Sequence, residues 1–290
     1  MLKIFINGLA FGITQIIPGI SGGTIAIILG FYNRIIESVN NFNKDRRGHL
    51  KFLVPFLLGV AFGIIAFSSL INYLLTNFSL PLMGFFIGMI VGIIPLIYKK
   101  AAESKLRARQ LALIIMSVAL LIIISHFRVP PAADPEYIIS TMGVPFMLFL
   151  FFAGLTAAAG LITPGISGSF ILLIFGVYHV VTFSVSSIRH LLTDISNLAL
   201  WLDIIKVLAP FAIGVIIGGL AMARLVEKLL KNYSQTVYSI ILGLLIGSVY
   251  ALLNEPITFQ SGVSAIIIII SGVLFLSGCA ASFFIGKKRL

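Results

Sequence analysis

Charge is what this chain has least of. Only 10% of its 290 residues are Asp, Glu, Lys or Arg, while 59% are hydrophobic and the mean hydropathy is +1.14. A soluble domain of this length could not hide so much apolar surface, so water-soluble enzymes and binding modules are excluded. The single cysteine, Cys279, rules out an internal disulfide and any cysteine-built metal centre. No Asp, Glu, Lys, Arg or His falls near the middle of any long apolar run, which leaves an intramembrane acid–base relay without a home. A substrate phosphate could still carry a proton itself. No buried base accompanies any serine, so no catalytic residue is assigned, and neither a metal nor a cofactor is expected.

What is present is a series of apolar runs long enough to cross a bilayer core of about 30 Å, which makes the chain a polytopic all-α membrane protein. It also says one unusual thing twice: IIPGISGGT at Ile16 to Thr24 and ITPGISGSF at Ile162 to Phe170. At an offset of 146, Gly8 to Tyr32 matches Gly154 to Tyr178 at twelve of twenty-five positions. At an offset of 155, Pro55, Phe56, Gly59, Gly63, Asn77, Ser79, Gly88 and Gly92 match Pro210, Phe211, Gly214, Gly218, Asn232, Ser234, Gly243 and Gly247. The change of offset implies a nine-residue insertion between Val181 and Lys206. The N-terminal stretch resembles a signal peptide, but its duplication at residue 154 assigns it to the mature fold.

These matches predict two repeats, residues 1–126 and 143–286, in one integrated membrane domain. Each is a broken, re-entrant hairpin (4–38 and 143–183) followed by three spans: 52–75, 80–98 and 109–126 in the first, 207–226, 235–254 and 263–285 in the second. The apolar stretch before Pro18 reaches about 21 Å as a helix, past the midplane but not across. Seventeen of the twenty basic residues fall on one side if each hairpin enters and leaves by the same face. That makes the repeats inverted in topology and both termini cytoplasmic. The net charge of +11 then reflects orientation and attraction to the lipid bilayer, with no nucleic-acid partner implied.

A duplicated, interrupted membrane helix is a pointer to a transporter's binding site. Pro18-Gly19 and Pro164-Gly165 end one helix and let the next start near Ser21 and Ser167. Unpartnered amides at such a start suit an anion. Ser21, Thr24, Ser167 and Ser169 can cap the helix or donate hydroxyls, and Gly22, Gly23 and Gly168 let a headgroup approach the backbone. Gln15 and Thr163, just before the breaks, are placed to line a cavity or to satisfy freed backbone groups. Arg34 and Arg224 lie at helix ends, as interface residues first and phosphate contacts second, and Arg224 has helical spacing to Glu227. The plainer alternative is a capped kink in a helix contact; two copies at opposed tips favour the site.

The paired PGISGG and PGISGS motifs, each followed by an apolar run and a G-x-Y (Gly30 to Tyr32, Gly176 to Tyr178), resemble the bacterial polyprenyl-phosphate transporter family, PopT, over almost the whole chain. The resemblance implies a flippase for a polyprenyl-phosphate lipid substrate in the bacterial cytoplasmic membrane, one that returns undecaprenyl phosphate from the outer to the cytoplasmic leaflet. The alternative is a transporter of a small soluble anion on the same scaffold. A scaffold that moves nothing would instead pack its tips dry, with no cavity. Nothing in the sequence sets the oligomeric state.

Overall fold

The computed structural model describes residues 1–17, 20–103, 106–126, 134–193, 197–254 and 264–288, with backbone alone at 68, 69, 72, 170, 189–193 and 199. Twelve helices and no strand occur among the described residues: α1 (Leu2–Ile16), α2 (Gly22–Ile28), α3 (Tyr32–Asn40), α4 (Arg46–Asn77), α5 (Ser79–Ala101), α6 (Ala108–His126), α7 (Pro135–Thr141), α8 (Val144–Ile162), α9 (Gly168–Ile174), α10 (Tyr178–Thr193), α11 (Leu198–Leu253) and α12 (Ala265–Lys287). Six of them, α4, α5, α6, α8, α11 and α12, are long and apolar enough to cross a membrane. The chain is a multi-pass membrane protein.

Many of its large apolar side chains point outward, as lipid allows. Leu57, Leu58, Phe62 and Ile65 on α4 and Ile266, Ile269, Val273 and Leu276 on α12 are exposed. Inside, small and weakly polar residues let backbones approach, and Ser79, Ser239 and Ser282 are fully buried. A Cβ at Gly8 of α1 would land on the Phe56 carbonyl of α4, and one at Gly59 on the Phe5 carbonyl. The same crossing recurs between α8 and α11, where Gly154 abuts the Phe211 carbonyl and Gly214 the Phe151 carbonyl. Every partner in the second contact is the duplicate of its partner in the first.

The third spans are exchanged between the halves. Gly88 and Gly92 of α5 seat against Phe275 and Cys279 of α12, while their duplicates Gly243 and Gly247 of α11 seat against Ile114, Ser117 and Leu121 of α6. Each half thus completes its packing with the last helix of the other. The joint between the first two spans is also duplicated, because Phe78 (φ −137°, ψ 39°) and Tyr233 (φ −141°, ψ 43°) adopt the same non-helical conformation. Straight, the 56 residues of α11 would extend about 84 Å, well beyond one bilayer core. The break at Tyr233 divides them into two spans.

Two details depart from the sequence reading. The second hairpin's outer arm does not stop at residue 183: α10 runs helically to Thr193, and Ser184, Ser186 and Ser187 bond back to carbonyls of their own helix, taking the polar insertion into the helix. The first arms are unequal, since α1 has 15 residues and α8 has 19, enough for α8 to cross a core about 30 Å thick. A short helix, α7, capped by Asp134 with Pro135 at its start, packs against α10 and α11.

Candidate functional site

Both broken motifs have the same backbone. Ile17 and Thr163 are extended (ψ 114° and 117°), as are Ser21 and Ser167 (ψ 123° and 130°). The amides of Ile20 and Ile166 donate to the carbonyls of Ile17 and Thr163, closing the turn. Pro18 and Gly19 lie outside the described residues. Their duplicates are buried, and Gly165 takes φ +89° with no room for a side chain, since a Cβ would sit 2.7 Å from Leu244 Cβ. Past the short α2 and α9, Gly30 and Gly176 (φ 70° and 71°) close a Schellman turn in which the amides of Phe31 and Val177 donate to the carbonyls of Ala26 and Leu172. That turn accounts for the glycine of each G-x-Y.

The two tips meet in the interior and bond to each other. The Ser21 hydroxyl donates to the Thr163 carbonyl (3.2 Å), and the Gly165 amide donates to Thr24 Oγ1 (3.0 Å). Gly23 lies against Ile162 and Pro164, so its missing side chain sets how closely the tips approach. Ser167 and Ser169 share a hydrogen bond of 2.8 Å, and Ser21, Thr24, Ser167 and Ser169 are all buried. Neither Ser21 nor Ser167 caps its helix through its side chain, whereas Asp45, Asp134, Asn197 and Ser264 cap α4, α7, α11 and α12. The tip hydroxyls therefore serve tip contacts.

Other expected residues take plainer roles. Gln15 folds back on α1, donating to the Phe11 carbonyl and Thr14 Oγ1, and covers Gly22. Thr163 contributes its carbonyl to Ser21. Gly168 packs on Ala157 and Leu161 of α8. Arg34 is exposed, its guanidinium 4.8 Å above the Phe52 ring. Arg224 is exposed and does not pair with Glu227. Glu227 accepts instead from Lys231 (2.6 Å) and Asn40 (2.5 Å), because the i,i+4 lysine and the amide from α3 reach it directly.

Beside the tips lies a cleft that the sequence reading missed. Its inner part, about 50 Å³, is lined by Ile27, Gly30, Tyr32, Asn33, Leu230, Tyr238 and Ile241. It shares Asn33, Leu230 and Tyr238 with an outer groove of about 440 Å³ that adds Ile36, Glu37, Asn41, Glu227, Lys231 and Ser234. Ile27 is three residues beyond Thr24, so the cleft ends about one helical turn from the tip contact. Asn40 ties its two walls, donating to the Ala223 carbonyl (2.9 Å) as well as to Glu227. The signal was readable: Asn33 and Glu37 on α3 and Asn41 at its C-cap recur every four residues, and Glu227 and Lys231 do so on α11. Among the described residues no cluster of His, Cys, Asp or Glu could hold a metal.

Residues 11–266 match a family model described as undecaprenyl phosphate translocase-like. A polyprenyl-phosphate transporter of Staphylococcus aureus is 30% identical over 284 residues, covering 97% of this chain and 95% of the relative. One from Vibrio cholerae is 28% identical over 261 residues, covering 85% and 76%. No solved structure matches the chain significantly.

Proposed function

We propose that this chain, which belongs to the undecaprenyl phosphate translocase-like family, transports polyprenyl phosphate, returning undecaprenyl phosphate from the outer to the cytoplasmic leaflet of a bacterial cytoplasmic membrane. The observation that carries this reading is the meeting of the two duplicated tips. Ser21 to Thr163 and Gly165 to Thr24 bring the hydroxyls and amides of both motifs to one place in a largely apolar interior.

In the mechanism we favour, the halves are inverted repeats and the termini are cytoplasmic. The α3–α11 cleft faces the cytoplasm, with Arg34 of α3 and Arg224 of α11 exposed on its two helices. When the tips part, Ser21, Thr24, Ser167 and Ser169, with the backbone at Gly22, Gly23, Gly165 and Gly168, exchange their mutual bonds for bonds to a phosphate. Pro164 holds the second break open to that exchange. The prenyl tail stays in lipid while the halves open alternately to the two leaflets. No titratable side chain is asked to move a proton at the tips.

The test is leaflet-to-leaflet movement of labelled undecaprenyl phosphate in proteoliposomes, compared with entry of inorganic phosphate. Movement of the lipid that is lost in the Ser21→Ala/Ser167→Ala protein supports the reading. Phosphate entry without lipid movement would make the protein a soluble-anion transporter.

A further inference from the structure

The inner end of the α3–α11 cleft holds a polar group that the tips leave unexplained. The Tyr32 hydroxyl is buried, its residue only 7% exposed, and it has no hydrogen-bond partner among the described residues. Orphaned buried donors are rare because burial without a partner is costly, and one that faces a cavity is a donor waiting for a ligand. Tyr32 lines the inner pocket together with Asn33 of its own helix and Tyr238 of α11. Two phenol hydroxyls and a carboxamide thus share one cavity with an apolar wall of Ile27, Leu230 and Ile241, and no charged residue lines this inner part.

That lining selects for chemistry of a particular kind. Neutral donors suit an acceptor-rich head such as a phosphate monoester, and the aliphatic wall suits a hydrocarbon neck directly attached to it. A free, hydrated anion gains less here than a lipid-borne one, because it leaves the aliphatic wall of Ile27, Leu230 and Ile241 without a partner. An anion delivered on a lipid chain needs no electrostatic attraction at the entrance.

We infer that the Tyr32–Asn33–Tyr238 pocket is a second station for the phosphate end of the lipid, separate from the tips, with the first isoprene unit seated on Ile27, Leu230 and Ile241. This rests on the transport reading above. It places the headgroup about one helical turn from Thr24, so a short shift along α2 transfers it between tip and cleft.

The test is calorimetric titration of the full-length protein in detergent with farnesyl phosphate, farnesol and inorganic phosphate, alongside thermal unfolding without ligand. Farnesyl phosphate should bind, and Tyr32→Phe and Tyr238→Phe should each weaken it about tenfold or more, the worth of a hydrogen bond to a charged group. Because the Tyr32 hydroxyl has no internal partner to lose, Tyr32→Phe should leave the ligand-free melting temperature unchanged or raised. Unaltered binding in Tyr32→Phe, or a lowered melting temperature, overturns the inference. So do farnesol binding as well as the phosphate, which would mean that the pocket reads only the chain, and inorganic phosphate binding as tightly, which would assign it to a soluble anion. Should Tyr32→Phe fail to fold, Tyr238→Phe and Asn33→Leu probe the same cavity from its other sides. Leaflet movement separates this inference from the reading beneath it: full lipid movement in Tyr32→Phe refutes the pocket alone, and no lipid movement by the unaltered protein refutes both.

Discussion

Replacing Gly165 with alanine should be among the most damaging single-methyl additions in the protein. The residue sits at φ +89° on the tip of the second motif, a conformation that costs an L-residue about 1–2 kcal/mol. The added methyl would also lie 2.7 Å from Leu244 Cβ and 2.8 Å from the Leu244 carbonyl carbon. The carbonyl carbon is helix backbone and the Cβ is fixed to it, so neither can rotate away, and overpacking adds about 1–3 kcal/mol. The sum, about 2–5 kcal/mol, is a large part of the 5–15 kcal/mol that typically holds a fold together. Gly272→Ala is the matched control, because nothing lies within 4 Å of its Cβ and an exposed helical position gains up to about 1 kcal/mol from alanine. Thermal unfolding of detergent-purified protein reads both. At roughly 2–4 °C per kcal/mol for chains near this size, Gly165→Ala should melt many degrees lower and Gly272→Ala no lower than the parent. Equal melting of Gly165→Ala and the parent would refute the seating of the second tip on α11.

Ser21→Ala combined with Thr24→Val removes both bonds between the tips and should cost only about 2 kcal/mol of stability; lipid movement should nonetheless fall at least about tenfold, and normal movement would remove the tips from the mechanism. Asn40→Leu deletes the two bonds that tie α3 to α11, worth about 1–3 kcal/mol together, and should speed amide exchange along α3. Unchanged exchange there would mean that the tie holds nothing. Gly88→Leu and Gly243→Leu should loosen different helices, α12 in the first case and α6 in the second, which limited proteolysis followed by mass mapping can distinguish. Release of α6 by Gly88→Leu would contradict the exchanged packing.

The helical membrane class was legible because lipid imposes it on any run of about 20 apolar residues. The duplicated tips were legible because Pro-Gly inside such a run has few other uses, and the glycines at 59, 63, 88 and 92 repeated at a fixed offset. Their partners were not legible. That Gly88 meets Phe275 rather than a neighbour in its own half depends on packing between segments far apart in sequence, to which periodicity is blind. The pairing of Ser21 with Thr163 has the same origin: the sequence offers the hydroxyl as a cap, and tertiary contact gives it a carbonyl on the other motif. The Arg224–Glu227 pair was the natural expectation from spacing on one helix, and a nearer lysine together with an amide from α3 displaced it. The polar face of α3 was readable but passed over, since Asn33, Glu37 and Asn41 sit where an interfacial helix end would carry polar residues anyway.

The exchange of third spans has a consequence for biosynthesis. The glycine face of α5 enters the membrane long before α12 exists, so during translation it must be covered by lipid, by insertion machinery or by a temporary neighbour. The first half cannot reach its native packing until the second half has been made. A ribosome that stalls before α12 would leave that groove open, a lesion that quality-control proteases acting in the membrane could recognise.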